Sequence, residues 1–222
     1  MDAIDNLVGL TDSGEHHIYT YSSCGDGGRE CEHQFFVFSA DDAQDYLQKR
    51  SIEAIDSSGR LVAYSEYDVD ELILSQEYFY DDNGNNIETV SESYSGGIAQ
   101  YVYIERSCFN DSGLEISREE VYMRPYLYKK YKKDGDNYFS HGTKSVRIRF
   151  FYNDNDENIK TVRDDVEEGK SYTSLYKYDE SHRLTEECCF EDEGVIAKTV
   201  LEYDSQDNII SKAYFSDDVL TS

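Results

Sequence analysis

Apolar and polar residues alternate along most of the chain, with the period of two that is typical of half-buried β-strands. The alternating runs predict strands at His17–Ser22, Glu32–Phe38, Leu72–Tyr80, Gln100–Glu105, Ile116–Met123, Ser145–Tyr152, Ser171–Tyr178 and Ala197–Tyr203. Short segments rich in Gly, Asp and Asn separate the runs, and such residues favour turns. The pattern predicts an all-β protein whose antiparallel strands form a meander in a twisted or rolled sheet.

One segment near the start of the chain has helical spacing instead. Ser39 is a candidate N-cap, and Asp41 and Asp42 would follow in the first turn, where acidic side chains interact favourably with the helix dipole. The run Ala40–Lys49 also contains a short apolar stripe at helical spacing. We therefore predict one short N-terminal helix there, which together with the preceding hairpin would form a cap over residues 1–50.

A strand-and-turn unit recurs along the rest of the chain. The run that starts at Tyr178-Asp179 returns at Tyr203-Asp204, and further copies start at Ile55, Tyr67, Tyr80, Phe109, Tyr152, Phe190 and Phe215. The aromatic residue would end a strand, and the Asp or Asn after it can accept a hydrogen bond from the N–H two residues on. A Gly, Asn, Asp or His near the end of the turn suits a positive φ. Recurrence at a fixed step indicates stacked units that bury apolar surface against one another.

The unit resembles the YD (RHS) repeat of bacteria over residues 51–222. Ile55-Asp56-Ser57-Ser58-Gly59-Arg60-Leu61 keeps the Gly-Arg-Leu part of that repeat, whereas His182 and Asp207 stand where the family usually has Gly. The resemblance implies long antiparallel β-sheets in a repeat domain of residues 51–222. It also implies a link to bacterial toxin loci, where YD-repeat proteins are common.

The charge of the chain narrows the classes of partner. A formal net charge of −26, from 47 acidic and 21 basic residues, disfavours nucleic acid and anionic membranes and favours a basic protein. The alternative is a solvated, self-repelling surface that prevents sheet edges from aggregating. The start of the chain lacks the charged and apolar regions of a signal peptide, and we expect a cytoplasmic protein whose 5 cysteines are reduced.

Two acidic groups are the candidate partner-binding residues, and they are Asp164, Asp165, Glu167 and Glu168, and Glu186, Glu187, Glu191, Asp192 and Glu193. The hypothesis is an immunity protein (antitoxin) whose acidic sheet covers a basic toxin domain. The alternative is a structural β-repeat scaffold that pairs with its own copies or with a larger YD-repeat chain.

A basic and tyrosine-rich segment, Arg124–Arg149, departs from this acidic background. Basic residues interleaved with tyrosines are typical of single-stranded nucleic-acid tracks, but the same charges can pair with acidic residues on adjacent strands. Because the rest of the chain carries the opposite charge, we expect ion pairing and no nucleic-acid binding. An acidic peptide and self-association stay open as alternatives.

The remaining chemical motifs are weak. A hairpin centred on Gly27-Gly28 would place Cys24 opposite Cys31, with His33 nearby, but three such ligands fall short of a closed zinc site. The segments 81–85 and 153–157 resemble calcium loops, yet their residue order fits strand turns better. No motif places a nucleophile, a base and oxyanion donors together, so we expect neither an enzyme nor a cofactor.

Overall fold

A computed structural model of the chain describes residues 4–10, 15–24, 27–39, 44–134, 141–142, 144–192, 194–216 and 219–221. The first nine strands are β1 (Ile4–Leu10), β2 (Glu15–Ser23), β3 (Arg29–Ser39), β4 (Gln44–Ile55), β5 (Leu61–Asp68), β6 (Glu71–Tyr80), β7 (Asn86–Ser95), β8 (Ile98–Phe109) and β9 (Glu115–Met123). Helix α1 (Pro125–Asp134) follows, and after it come β10 (Lys144–Tyr152), β11 (Asn158–Asp165), β12 (Lys170–Tyr178), β13 (Leu184–Glu191), β14 (Gly194–Tyr203), β15 (Ile209–Ser216) and β16 (Val219–Thr221).

The strands lie in one antiparallel sheet in the order in which they occur in the sequence, from β1 to β16. Each of the eight strands predicted from the alternating pattern lies within an observed strand. The predicted fold class, an antiparallel meander of repeated strand-turn units, is confirmed.

The prediction of an N-terminal helix at Ala40–Lys49 is wrong. Residues 44–49 belong to β4, which pairs with β3 on one side and with β5 on the other. Residues 40–43 lie outside the described ranges. Two ladders of backbone hydrogen bonds outweigh a short helical apolar stripe, because local propensity is a weak signal against tertiary pairing. The helix of the described chain is α1, inside the basic segment.

Six connections share the turn geometry expected from the repeat. In the turn after β4, the Asp56 side chain accepts hydrogen bonds from the N–H groups of Ser58 and Arg60, at 2.8 and 2.9 Å. Gly59 closes the turn at a φ of 85°. The same side-chain bonding starts at Asp81, Asn110, Asn153, Asp179 and Asp204. These six connections are called the Asx turns, because Asp or Asn starts each of them.

Asx turns join every second pair of strands and therefore lie at one end of the strands. The repeat copies at Tyr67 and Phe190 instead lead into two-residue connections at the other end, where Asp68 pairs with Glu71 and Glu191 with Gly194. The segments 81–85 and 153–157, which resemble calcium loops, are Asx turns. Their first side chains are occupied by the turn's own N–H groups.

The chain divides into two compact units. Unit 1 comprises Met1–Ile104 and Tyr122–Tyr138, and unit 2 comprises Glu105–Val121 and Phe139–Ser222. The predicted division at residue 50 stays a prediction. Among the described residues, the buried apolar side chains in unit 1 are Val90, Val102, Ile104, Met123 and Tyr128, and those in unit 2 are Val121, Val146 and Val162.

Helix α1 covers part of the sheet in unit 1. The Lys132 ammonium donates to Glu77 of β6 at 3.1 Å, and the Tyr128 ring is buried one turn earlier on the helix. Burial raises the pKa of Tyr128, while Lys132 opposes that shift. The helix thus places Lys132 beside an acidic residue of β6.

Candidate protein-binding surface

The acidic residues predicted to bind a partner are largely engaged within the sheet of unit 2. Asp164 accepts a hydrogen bond from Arg149 at 2.9 Å, and Glu191 pairs with Lys170 at 2.6 Å. Glu186 is held between two lysines, Lys177 at 2.7 Å and Lys198 at 2.8 Å. These pairs neutralise three of the predicted carboxylates inside the molecule.

The electrostatics of the pairs agree with this geometry. Hydrogen bonds from Lys177 and then Lys198 lower the pKa of Glu186. The hydrogen bond to Glu191 raises the pKa of Lys170. Glu186 and Lys170 therefore stay charged, and each of them faces its own oppositely charged partner. A partner would have to break such pairs to use them, so they are poor contact residues.

The remaining predicted residues divide into buried and exposed groups. Asp165 is 4% exposed and accepts the N–H of Glu168, which makes it a structural residue of the turn. Glu167, Glu168 and Asp192 are exposed in the two connections after β11 and β13. Those connections are adjacent, since the N–H of Asp192 donates to the carbonyl of Ser171 at 2.9 Å. Glu187 lies within β13 and is half-buried, and Glu193 lies outside the described residues.

A denser acidic surface lies at the opposite end of the strands in unit 2. We call the four Asx turns at residues 110–114, 153–157, 179–183 and 204–208 the turn row. It carries eight acidic residues (Asp111, Asp154, Asp156, Glu157, Asp179, Glu180, Asp204 and Asp207) and one arginine, Arg183. The carboxylates of Asp111, Asp154, Asp156 and Glu180 are exposed at the tips of the turns.

The sequence contains a signal for this surface that the choice of candidate residues missed. The first residue of each Asx turn is occupied by backbone N–H groups, so the second residue is the one presented to solvent. That second residue is acidic in four of the six turns, as Asp82, Asp111, Asp154 and Glu180. The repeat therefore places carboxylates at the strand ends at regular intervals.

Side-chain bonds hold neighbouring turns of the row together. Arg183 donates to Asp179 of its own turn at 2.8 Å and to Asp207 of the next turn at 2.7 Å. His182 contacts Glu157 of the preceding turn at 2.7 Å. Hydrogen bonds from Arg183 lower the pKa of Asp179, and those from Asn153 and His182 lower the pKa of Glu157. The exposed carboxylates of Asp154, Asp156 and Glu180 thus lie on turns that are bonded to one another.

The described part of the basic segment Arg124–Arg149 is divided between helix α1 and strand β10. Four of its five lysines lie on α1 in unit 1, whereas Lys144, Arg147 and Arg149 lie on β10 in unit 2. Tyr128 is buried and Tyr126 is 69% exposed, so these rings do not form one stacking row, and Tyr138 lies outside the described residues. Arg147 bonds Glu119 and Arg149 bonds Asp164, which confirms the predicted pairing with acidic residues on adjacent strands.

In the hairpin of β2 and β3, Cys24, Cys31 and His33 are paired in a different register from the predicted one. Tyr21, not Cys24, lies opposite Cys31, because Cys24 itself closes a turn by donating its N–H to the carbonyl of Gly28 at 2.8 Å. Nε2 of His33 lies 2.9 Å from Nδ1 of His17. The pKa of His33 is lowered, mainly because the ring is partly buried and secondly because His17 is close to it. Over the part of the chain that the structure describes, no three His, Cys, Asp or Glu side chains are grouped to hold a metal ion.

Comparisons with known proteins give a distant structural similarity. No protein-family model matches the sequence, and no curated protein matches it. The chain is similar to a porin-like protein from Bacteroides uniformis ATCC 8492, with 14% sequence identity and a TM-score of 0.37. The match covers 89% of this chain and 63% of that chain, so this chain spans less than two thirds of its length. Such a match does not assign a function. Within the described ranges, no helix is long and apolar enough to cross a membrane.

Proposed function

We propose that this chain is a cytoplasmic protein-binding module that binds a basic protein, and that it acts as an immunity protein which covers a basic toxin domain. The observation that carries the proposal is the turn row, in which eight acidic residues stand against one arginine. Its tips present exposed carboxylates that no described side chain neutralises, unlike Asp164, Glu186 and Glu191 at the previously predicted positions.

Charge supports a basic protein as the partner. With a formal net charge of −26, the chain attracts a positively charged surface from beyond contact distance and speeds its association. Because salt screens charges over about 8 to 10 Å, such binding weakens as ionic strength rises. A toxin that cleaves nucleic acid carries a basic surface for its substrate, and an acidic row can occlude that surface. The resemblance to YD repeats, with their link to toxin loci, favours this class of partner.

A second function has one observation in its favour. Among the described residues, β16 pairs with Tyr214–Ser216 at the end of β15. Ile209 and Ile210, at the start of β15, are 56% and 64% exposed. A β-repeat scaffold would add a strand of another chain at this edge.

Capture from a lysate of the native cells distinguishes the two functions. The tagged chain is loaded at low salt, washed with a rising salt gradient, and the eluted proteins are identified by mass spectrometry. The immunity function predicts a basic protein that elutes at moderate salt and whose toxicity in a test host is suppressed by co-expression of this chain. Recovery of only the chain itself, or of a β-repeat protein that resists salt, contradicts it.

A further inference from the structure

A groove with the opposite charge lies on one face of the sheet in unit 2. Arg106 of β8 and Arg147 and Arg149 of β10 line it, together with Glu119 and Asp164. Its volume is about 430 Å³, which lies within the roughly 300 to 1,000 Å³ of small-molecule sites. Three guanidinium groups therefore stand against two carboxylates, on a chain whose net charge is −26.

The three arginines share a face of the sheet. Arg118 of β9 bonds Glu105 of β8 at 3.5 Å, so these two side chains lie on the same face. Because side chains alternate along a strand, their neighbours Glu119 and Arg106 lie on the other face. Arg147 donates to Glu119 at 3.1 Å and therefore belongs to that face as well. The residue two positions after Arg147 is Arg149, which completes the group.

Two of these arginines keep most of their hydrogen-bond donors unused. Among the residues that the structure describes, Arg147 donates only from Nε, to Glu119, and Arg149 only from Nη2, to Asp164. A guanidinium group has five N–H donors. The side chains are 60% and 54% exposed, so a ligand can reach the unused donors. The two carboxylates hold the guanidinium groups in place before any ligand arrives.

The arrangement selects a compact oxyanion with several acceptor directions. Strand β9 separates β8 from β10, which places their arginines about 10 Å apart across the groove. A phosphate monoester has three terminal oxygens and a charge of about −1.5 to −2, and its oxygens can accept from several sides at once. A single carboxylate offers two oxygens in one plane. A long polyanion would meet the repulsion of the acidic surface along its length, whereas a small one contacts only the groove with its arginines.

We propose that the groove between β8 and β10 is a binding site for the phosphate group of a small phosphate ester, held by Arg147 and Arg149 with Arg106 on the far side. This site is independent of the turn row, since it lies on a face of the sheet and has the opposite charge.

Isothermal titration calorimetry at constant ionic strength tests the site, with inorganic phosphate and then glycerol phosphate as probes. We expect saturable binding of one phosphate per chain. Arg147→Gln and Arg149→Gln should each weaken it about tenfold or more, because each removes charge-assisted hydrogen bonds. Asp164→Asn should tighten it, because the variant removes a competing anion. Circular dichroism and urea unfolding establish that each variant is folded.

Arg163→Gln is the matched control. Arg163 lies on β11 opposite Ile148, which places it on the other face of the sheet from Arg147 and Arg149. The control removes the same charge and should leave the affinity unchanged. Absence of saturable binding, or an equal loss in all three arginine variants, overturns the proposal. Tighter binding of a phosphoserine peptide than of glycerol phosphate overturns the assignment to a small ligand.

Discussion

The hydroxyl of Tyr203 donates a hydrogen bond of 2.8 Å to the backbone carbonyl of Leu184. Tyr203 ends β14 and Leu184 begins β13, directly after an Asx turn. The same relationship occurs between Tyr80 and Leu61, Tyr152 and Glu115, and Tyr178 and Asn158. The guanidinium carbon of Arg183, the last residue of that Asx turn, also lies 4.8 Å from the centroid of the Tyr203 ring. In four of the six Asx turns, the tyrosine before the Asp or Asn thus bonds its own turn to the preceding one, which gives these copies of the repeat a physical basis.

Replacing Tyr203 by phenylalanine should destabilise the protein modestly. Tyr203→Phe keeps the ring beneath Arg183 but leaves the carbonyl of Leu184 without its donor, at a cost of about 0.5 to 1.5 kcal/mol. Tyr126→Phe is the control, since Tyr126 is 69% exposed. Urea unfolding followed by circular dichroism measures both. An equal change in the two variants would show that the hydroxyl bond does not hold the turns together.

The first residue of an Asx turn should matter more than the second. Asn110 accepts the N–H groups of Ser112 and Leu114 at 3.0 and 2.9 Å, whereas its neighbour Asp111 is exposed. Asn110→Ala should lower the free energy of unfolding by about 1 to 2 kcal/mol, because it removes two hydrogen bonds. Asp111→Ala should change it little. A larger loss from Asp111→Ala would contradict the assigned roles.

Asp156 occupies a backbone conformation that favours glycine, with a φ of 62°. Asp156→Gly should raise the free energy of unfolding by about 0.5 to 1 kcal/mol, because glycine adopts positive φ without steric cost. Asp154→Gly makes the same chemical change two residues earlier, where φ is not positive, and should destabilise the protein. Urea unfolding measures the free energy of unfolding of both variants. Stabilisation by Asp154→Gly but not by Asp156→Gly would contradict the steric explanation.

Low pH should destabilise the turn row by protonating Asp179 and Asp204, the first residues of two of its Asx turns. Hydrogen bonds from Arg183 lower the pKa of Asp179, and those from Asn208 lower that of Asp204. A carboxyl group whose pKa is lower in the folded state stabilises it above the unfolded pKa of about 3.9, and this contribution is lost as pH falls through the folded value. We therefore expect the urea concentration at the unfolding midpoint to decrease when the pH is lowered below about 4.

The double variant Asp179→Asn/Asp204→Asn isolates this effect. Asparagine still accepts the backbone N–H groups, as Asn110 and Asn153 do, but it does not titrate. The variant should lose less stability than the wild type below about pH 4. His33 should also lower the free energy of unfolding as the pH falls below about 6.5, because its pKa is lower in the folded state and protonation therefore favours the unfolded state. An unchanged acid response in the variant would assign acid sensitivity to other groups.

The strands and Asx turns could be predicted from the sequence because both depend on local chemistry. A period of two gives a strand, and Asp or Asn followed by a residue suited to positive φ gives the turn. Helix α1 had local signals too: Pro125 occupies its first position, and Lys132 and Lys133 lie in its last turn. The interleaved tyrosines and lysines of the segment obscure these signals, because the same residues also fit a basic binding track. At residues 44–49, by contrast, the short helical stripe gave the wrong element because pairing with two strands decides the structure there.

The candidate surface could be predicted only in part. Acidic clusters are visible in the sequence, but which carboxylates are neutralised depends on the register between strands. That register changes at irregular positions, such as between Lys177 and Tyr178, where β12 pairs with β13. Glu186 therefore meets both Lys177 and Lys198, a contact that sequence spacing alone does not give. The tips of the turn row lie outside the strands and escape this pairing.

The most direct measurement is the capture of the basic partner by two variants, each of which replaces three carboxylates by neutral amides. The triple variant Asp111→Asn/Asp154→Asn/Glu180→Gln removes charge from the tips of the turn row, and Glu167→Gln/Glu168→Gln/Asp192→Asn removes the same charge at the other strand ends. If the turn row binds the partner, the first variant elutes it at much lower salt, while the second retains it as the wild type does. Loss of the partner only in the second variant, or retention in both, would contradict the turn row as the binding surface.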